Sequence, residues 1–314
     1  MFPIRRSWAR LLGPLILLLL TACGSAIPTV AVAPQLAPTP EPPQPTPTAE
    51  VDDLLTLGDE FDDPHTLSKW QDHATVEGWP SWIEAVDVDT TSPGHLYLAP
   101  LSSGWYQDYR GVFLFKTVTG DFDVTTRVQA TGKQSELPKR AFSLSGLMVR
   151  QPRQVTMETW QPGHENWLFI TTGFGDHHPQ RAGKPQIETK TTVNSRSTLV
   201  LRLSRSGWVD LRVVRVGQTF LMLYRFPGDA WQISQIYQRP DLPPTLQVGL
   251  NAYSSNGTSG DVVEFNRTAR PEPGDLLVRS DYIRFRRPGI SEELKAELAA
   301  KELRREEWLQ LIGE

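Results

Sequence analysis

From about residue 54 to residue 287 the chain repeats one pattern: short runs in which apolar and polar positions alternate with period two. Phe122, Val124, Thr126 and Val128 fall on one side of such a run, and Asp121, Asp123, Thr125 and Arg127 on the other. Successive side chains of a strand point to opposite faces, so this is the signature of a half-buried strand, and Asp121 and Asp123 are expected in solvent. Leu199, Leu201 and Leu203 alternate with Arg202 and Ser204. Val209, Leu211 and Val213 alternate with Asp210 and Arg212, and Leu246, Val248 and Leu250 with Gln247 and Asn251. Phe220, Met222 and Tyr224 flank Leu221 and Leu223, which predicts a strand covered on both faces. Further strands are expected over residues 82–88, 95–98, 111–118, 145–150, 167–172, 187–193, 262–265 and 282–285.

Glycine punctuates these runs. Ser206-Gly207 and Gly217-Gln218 read as tight hairpin turns, and Thr119-Gly120 precedes the Asp121 strand. No helix-period segment and no internal repeat interrupts the series. Many short strands with close turns predict an all-β fold: a two-sheet antiparallel jelly-roll sandwich, each sheet hiding one face against the other. The pattern changes after Pro288-Gly289. Ser291 is a good N-cap for a short C-terminal helix from Glu292 to about Leu311, with Glu292 and Glu293 at its positive end. Leu294, Leu298 and Leu303 form a partial apolar stripe, with Trp308 and Leu309 near the end. Such a helix either docks on its own domain or offers that stripe to a protein partner.

The N-terminus follows a different rule. Arg5, Arg6 and Arg10 precede an apolar run, Leu11 to Leu20, that is short for a membrane span. Leu20-Thr21-Ala22-Cys23 closes it, and Cys23 is the only cysteine of 314 residues. This stretch resembles the lipobox of bacterial lipoproteins. The resemblance implies thioether lipidation of Cys23, cleavage before it and acylation of the new amino terminus, hence a protein anchored on the extracytoplasmic face of the cell membrane. A single acyl chain binds a membrane marginally and several bind it stably. From Gly24 to about Glu50, prolines alternate with Ala, Thr, Val and Gln, a composition that favours extended polyproline II and no core. The expected organisation is therefore a signal peptide over 1–22, a lipidated cysteine and Pro-rich tether over 23–53, a jelly-roll domain over 54–287 and the helix over 288–314.

Composition narrows the function. A hydrophobic fraction of 39% supports a core without disulfides, which a lone cysteine cannot form within the chain. A formal net charge of −4 gives no basic face for nucleic acid. Ten tryptophans are many for this length, and aromatic rings serve both as core and as sugar-stacking platforms.

Several phrases follow one another in a familiar order: Gly120-Asp121-Phe122-Asp123-Val124, Ser145-Gly146-Leu147-Met148-Val149-Arg150, Glu165-Asn166-Trp167-Leu168, Leu199-Val200-Leu201-Arg202-Leu203 and Leu246-Gln247-Val248-Gly249-Leu250. Together they resemble the concanavalin A-like lectin/glucanase superfamily, and most nearly its bacterial branch labelled as regulators of enolase. The resemblance spans Leu57 to Arg287, with Gly-Leu-Met-Val-Arg as its most specific phrase. It implies two curved antiparallel sheets and a fold shared by sugar-binding modules, glycosidases and adhesion domains, so function must be argued from the site.

The chemistry is sparse. A glucanase of this superfamily carries Glu-x-Asp-x-x-Glu on one strand, whereas here Glu84 and Asp87 point to opposite faces, and Glu158 and Glu165 lie beside tryptophans in separate segments. Asp176-His177-His178, with His164 and Glu165 near in sequence, and the oxygens of Asp87, Asp89 and Asp261 are metal candidates weighed against solvated loops. No metal site is assigned, no catalytic residue is named and no cofactor is expected. Trp70, Trp82 and Trp167 read as packing residues. Trp105 and Tyr106, in Ser-Ser-Gly-Trp-Tyr-Gln-Asp-Tyr, and Trp160, in Thr-Trp-Gln-Pro-Gly, stand in polar loop text and are the candidates for exposed sugar platforms, with Tyr253, Asn251 and Asn256 on the same rim. The expectation is non-catalytic recognition of a glycan or another envelope polymer; an adhesion module binding protein and a glycosidase with a non-standard carboxylate pair are the alternatives.

Overall fold

The alternation is realised as two stacked antiparallel sheets in a computed structural model. It describes residues 52–255, 261–268, 272–299, 301 and 303–313. Cys23, the expected tether as far as residue 51, and Asn256 lie outside the described residues, whereas Asp52 and Asp53, at the end of that tether, are described and bind Arg287. Fourteen strands form among the described residues: β1 Gln71–Asp72, β2 Ile83–Val88, β3 Leu96–Pro100, β4 Val112–Thr119, β5 Phe122–Thr131, β6 Ser143–Arg150, β7 Trp167–Phe174, β8 Gln186–Val193, β9 Arg196–Leu203, β10 Val209–Val216, β11 Thr219–Arg225, β12 Gln232–Gln238, β13 Thr245–Ser254 and β14 Leu277–Arg286. The first sheet runs β1-β4-β13-β6-β7-β8-β9 and the second β12-β11-β10-β5-β14-β3-β2. This is the all-β jelly-roll sandwich expected, with short helices α1 His73–Glu77, α2 Val262–Arg267, α3 Glu292–Ala299 and α4 Arg305–Ile312.

Between the sheets lies the principal core. Leu147, Val149, Leu168, Ile170, Val248 and Leu250 of the first sheet meet Val124, Val128, Leu211, Val213, Met222 and Phe285 of the second, each 3% exposed or less. Fully burying such a side chain contributes about 1.5–3 kcal/mol. Gly146 sits within this layer, where a Cβ would come 2.2 Å from the Ile170 carbonyl oxygen, so no other residue fits.

Three expectations are corrected. Residues 262–265 are not a strand: Asp261 accepts the Val263 and Glu264 amides and caps α2. The C-terminal segment is two short helices, not one. Asp123 is not in solvent. It is 2% exposed and bound by Arg212 and Arg286, because the outer face of the second sheet is itself partly covered. Asp121, although near the surface, pairs with Lys295 at 2.8 Å. The cover is the C-terminal segment. Ile290, Trp308 and Ile312 pack on Val214, Val216, Leu221 and Leu223, which makes β11 apolar on both faces as expected. The leucine stripe is thus spent largely on the chain's own sheet. Strand β12 was not anticipated, because Gln232, Gln235 and Gln238 break its apolar rhythm.

Candidate functional site

The first sheet is also apolar on both faces. Facing away from the core, Phe113, Phe115, Leu144, Met148, Trp167, Phe169 and Tyr253 form a second cluster. Strand register sets out its rows: Gln247–Arg150–Trp167–Thr192 at one end, Gly249–Met148–Phe169–Lys190 next, then Asn251–Gly146–Thr171–Glu188, then Tyr253–Leu144–Gly173–Gln186. A face this apolar must be covered, and the segment from Leu101 to Gly111 covers it.

Trp105 is the centre of that cover. It is 1% exposed, stands edge-on to Phe113 and Trp167 and donates Nε1–H to the Val112 carbonyl at 3.1 Å. A Cβ at Gly111 would lie 3.0 Å from both Trp105 Nε1 and the Ala252 carbonyl oxygen, so glycine lets the segment lie flat. Asp108 holds the far side, accepting from Ser195 Oγ at 2.5 Å and Gly163 N at 3.0 Å, while Asn266 Nδ2 donates to its carbonyl.

Arg110 fixes the cover by charge. Its guanidinium donates to Glu77 and Glu165, both at 2.5 Å, and to His73 Nε2 at 2.5 Å. Arg150 joins the same two carboxylates at 2.7 and 3.1 Å, and Arg153 reaches Glu165 at 2.5 Å. Burial works against the charged form of both carboxyls. The arginines override it, leaving Glu77 at about 2 and Glu165 well below the carboxylate range. Burial and the Arg150 charge push His73 well below its ordinary value. A neutral imidazole is what Arg110 requires, since Nε2 must accept.

Beside the cover a cavity of about 290 Å³ opens, lined chiefly by Trp105, Tyr106, Phe142, Lys190, Leu199 and Tyr253. Lys190 forms its polar floor. The ammonium sits 5.1–5.7 Å from the ring centroids of Tyr106, Phe142, Phe169 and Tyr253. It donates to the Trp105 carbonyl at 2.8 Å and pairs with Glu188 Oε1 at 2.8 Å. Tyr253 donates to Glu188 Oε2 at 2.5 Å. Burial lowers Lys190 against the pull of Glu188; burial first, and then Glu188, hold the Tyr253 phenol well above its ordinary value. In the row next to Tyr253, Asn251 is fully buried, and neither its Oδ1 nor its Nδ2 has a partner among the described residues.

The structure therefore brings together Trp105, Tyr106 and Tyr253 on one cavity, with Asn251 in the adjoining row. Their setting differs from the expectation of exposed platforms. Trp105, Tyr253 and Asn251 are buried, and Tyr106, 37% exposed, is the one ring of the set that meets solvent. Trp160 lies elsewhere. It is buried, donates Nε1–H to Glu165 at 3.0 Å and stands edge-on to Trp79, so it belongs to the ionic cluster. Lys190, Glu188 and Phe142 are not among the residues the sequence singles out, and Leu199 is read there only as a strand position. Their signal was Glu188-Thr-Lys190, opposite charges two apart on one face of a buried strand. Asp176 is engaged by Arg181 and His177 stands edge-on to Phe174, while Asp87 and Asp89 cap turns through Thr91 and Gly94. Among the described residues no group of three His, Cys, Asp or Glu side chains is placed to hold a metal ion.

No protein-family model and no curated protein matches the chain. Among solved structures it is similar to a functionally unknown protein from Saccharomyces cerevisiae, at 17% identity and a TM-score of 0.46, over 71% of this chain and 98% of that one. It is similar to the GH43 protein BlXynB from Bacillus licheniformis, at 14% identity and a TM-score of 0.49, over 77% of this chain and 41% of that one. A legume lectin-like domain from Entamoeba histolytica gives 10% identity and a TM-score of 0.46, over 77% of this chain and all of that domain. The chain spans about two fifths of the length of the GH43 protein.

Proposed function

We propose that the chain is a lipid-anchored, extracytoplasmic module that binds a glycan without catalysis, taking one sugar ring into the cavity beneath Tyr106. The observation that carries this reading is the cavity itself. At about 290 Å³ it falls near the lower end of ligand pockets, which run from about 300 to 1,000 Å³, a size suited to a single ring. Its walls are aromatic and aliphatic, and its few polar groups are grouped at Lys190, where they can orient hydroxyls. A ring stacked on Tyr106 loses little conformational freedom of the protein, because Phe142, Lys190 and Tyr253 are already packed in place.

The non-catalytic part of the reading rests on the carboxylates. Glycoside hydrolysis needs one carboxyl kept protonated as an acid. Glu77 and Glu165 are held ionised by arginines, and Glu188 is bound by Lys190 and Tyr253. The anchoring part rests on the lipobox at Cys23. Glycan-array binding by the full chain in detergent micelles tests the reading. Binding should fall at least tenfold in Tyr106→Ala, about 1.4 kcal/mol, with an unchanged unfolding midpoint. Release of reducing sugar from bound ligands, or binding indifferent to Tyr106→Ala, refutes it.

A further inference from the structure

The outer face of the second sheet, where α4 ends, carries a different cavity of about 270 Å³. Its wall holds four guanidinium groups, Arg212, Arg225, Arg284 and Arg286, and one carboxylate, Asp123. Asp123 binds Arg212 through two bonds of 2.8 and 2.7 Å and also takes Arg286 Nε at 2.7 Å. The neighbouring Asp210 takes Arg225 at 2.9 Å and Arg127 at 2.7 Å. Two nearly fully buried carboxylates thus serve four arginines. Glu60 on Arg284, and Asp281 at 3.6 Å from Arg127, join them, so that five arginines and four carboxylates meet here among the described residues.

These groups are fixed in position. Arg225 lies over Trp231 at 4.4 Å and Arg284 over Tyr282 at 4.0 Å, which sets the plane of each guanidinium. Arg212 is 1% exposed, and the carbonyls of Ile312 and Gly313 hold it from the C-terminal helix. Arg225 gives Nε to Asp210 and leaves both Nη groups without an acceptor among the described residues. A charged donor facing a cavity without an acceptor favours an anion, and arginine forks match the oxygens of phosphate and sulfate. The donors left over, on Arg225 of β11 and Arg284 of β14, come from two strands and so approach from more than one direction, which suits a tetrahedral group better than a planar one.

We propose that this cavity binds a phosphate or sulfate ester, independently of the sugar cavity on the opposite sheet. Titration calorimetry of the full chain in neutral detergent micelles tests it, with inorganic phosphate as the probe and chloride at equal ionic strength as the reference. One phosphate should bind per chain, with no matching signal from chloride. Arg225→Gln and Arg284→Gln should each weaken phosphate at least fivefold, with Tyr106-dependent glycan binding unchanged and, for Arg284→Gln, an unchanged unfolding midpoint. Arg284 is 59% exposed, so its variant keeps the test open should Arg225→Gln unfold. Glycerol phosphate and dextran sulfate, titrated the same way, separate a lipid headgroup from a polymer-borne ester; the one that loses affinity in the variants identifies the source. Phosphate binding no tighter than chloride, or unaffected by both substitutions, overturns the proposal.

Discussion

Glu165→Gln is the sharpest perturbation of the site's cover. The carboxylate is 1% exposed and accepts from Arg110 at 2.5 Å, Arg150 at 3.1 Å, Arg153 at 2.5 Å and Trp160 at 3.0 Å. Glutamine preserves the volume, removes the charge and turns one acceptor into a donor that faces a guanidinium. Arg110 and Arg150, each fully buried, would then share Glu77 as their one remaining carboxylate among the described residues. Removing one partner of a buried ion pair costs about 3–5 kcal/mol, because the remaining charge stays desolvated. With a urea slope of roughly 2–3 kcal/mol per molar for a domain of this size, the unfolding midpoint should fall by about 1–2.5 M. Urea titration followed by tryptophan fluorescence reads this directly, since Trp79, Trp105 and Trp160 pack around the cluster. A loss below about 1 kcal/mol would mean that the guanidiniums find other acceptors or water, and that charge does not hold the cover.

The same cluster sets the acid limit. His73 and Glu77 both have folded values below their unfolded ones, so each contributes stability that is lost as pH falls. Denaturant midpoints should stay level above about pH 6.5, decline as the unfolded histidine begins to take up protons, and fall steeply from about pH 4.5 toward 2, where Glu77 accounts for roughly 3 kcal/mol; a flat profile to pH 3 contradicts this. Trp308→Ala should cost about 3–5 kcal/mol, read as a lower thermal midpoint, because the ring is 5% exposed against Leu221 and Leu223. Cys23→Ser should abolish incorporation of labelled palmitate into the protein in growing cells; label kept by the variant argues against the lipid anchor.

The sandwich was legible because most of its strands alternate apolar and polar letters and period two is a local property. Phe122 to Val128 and Leu246 to Leu250 declare their inner faces within seven residues. The helices were harder. Residues 262–265 carry Val, Val and Phe and read as a strand, yet Asp261 turns them into a helix by capping two amides, a choice that local hydrophobicity does not report. The site residues were legible by type and not by setting. Trp105 lies in polar text, but Ser103 bonds to the Leu101 carbonyl and Asp108 to Ser195, so the polar letters mark a fastened cover and not a wet loop. Arg110 and Glu165 are fifty-five residues apart, and nothing within either segment shows that they meet. Tyr253 and Asn251 were named as a rim beside Trp105, and the register puts them on the face that Trp105 covers. Lys190 went unremarked because a charged residue in a strand ordinarily faces solvent; here both faces of the sheet are enclosed.

A crystal structure of the chain with a glycan selected on the array tests the central claim most directly. The account predicts one sugar ring between Tyr106 and Lys190, the glycosidic bonds intact and Trp105 still seated against Phe113 and Trp167. A ligand bound elsewhere with this cavity empty, or a cleaved ligand beside Glu165 with the Arg110 cover displaced, would contradict it.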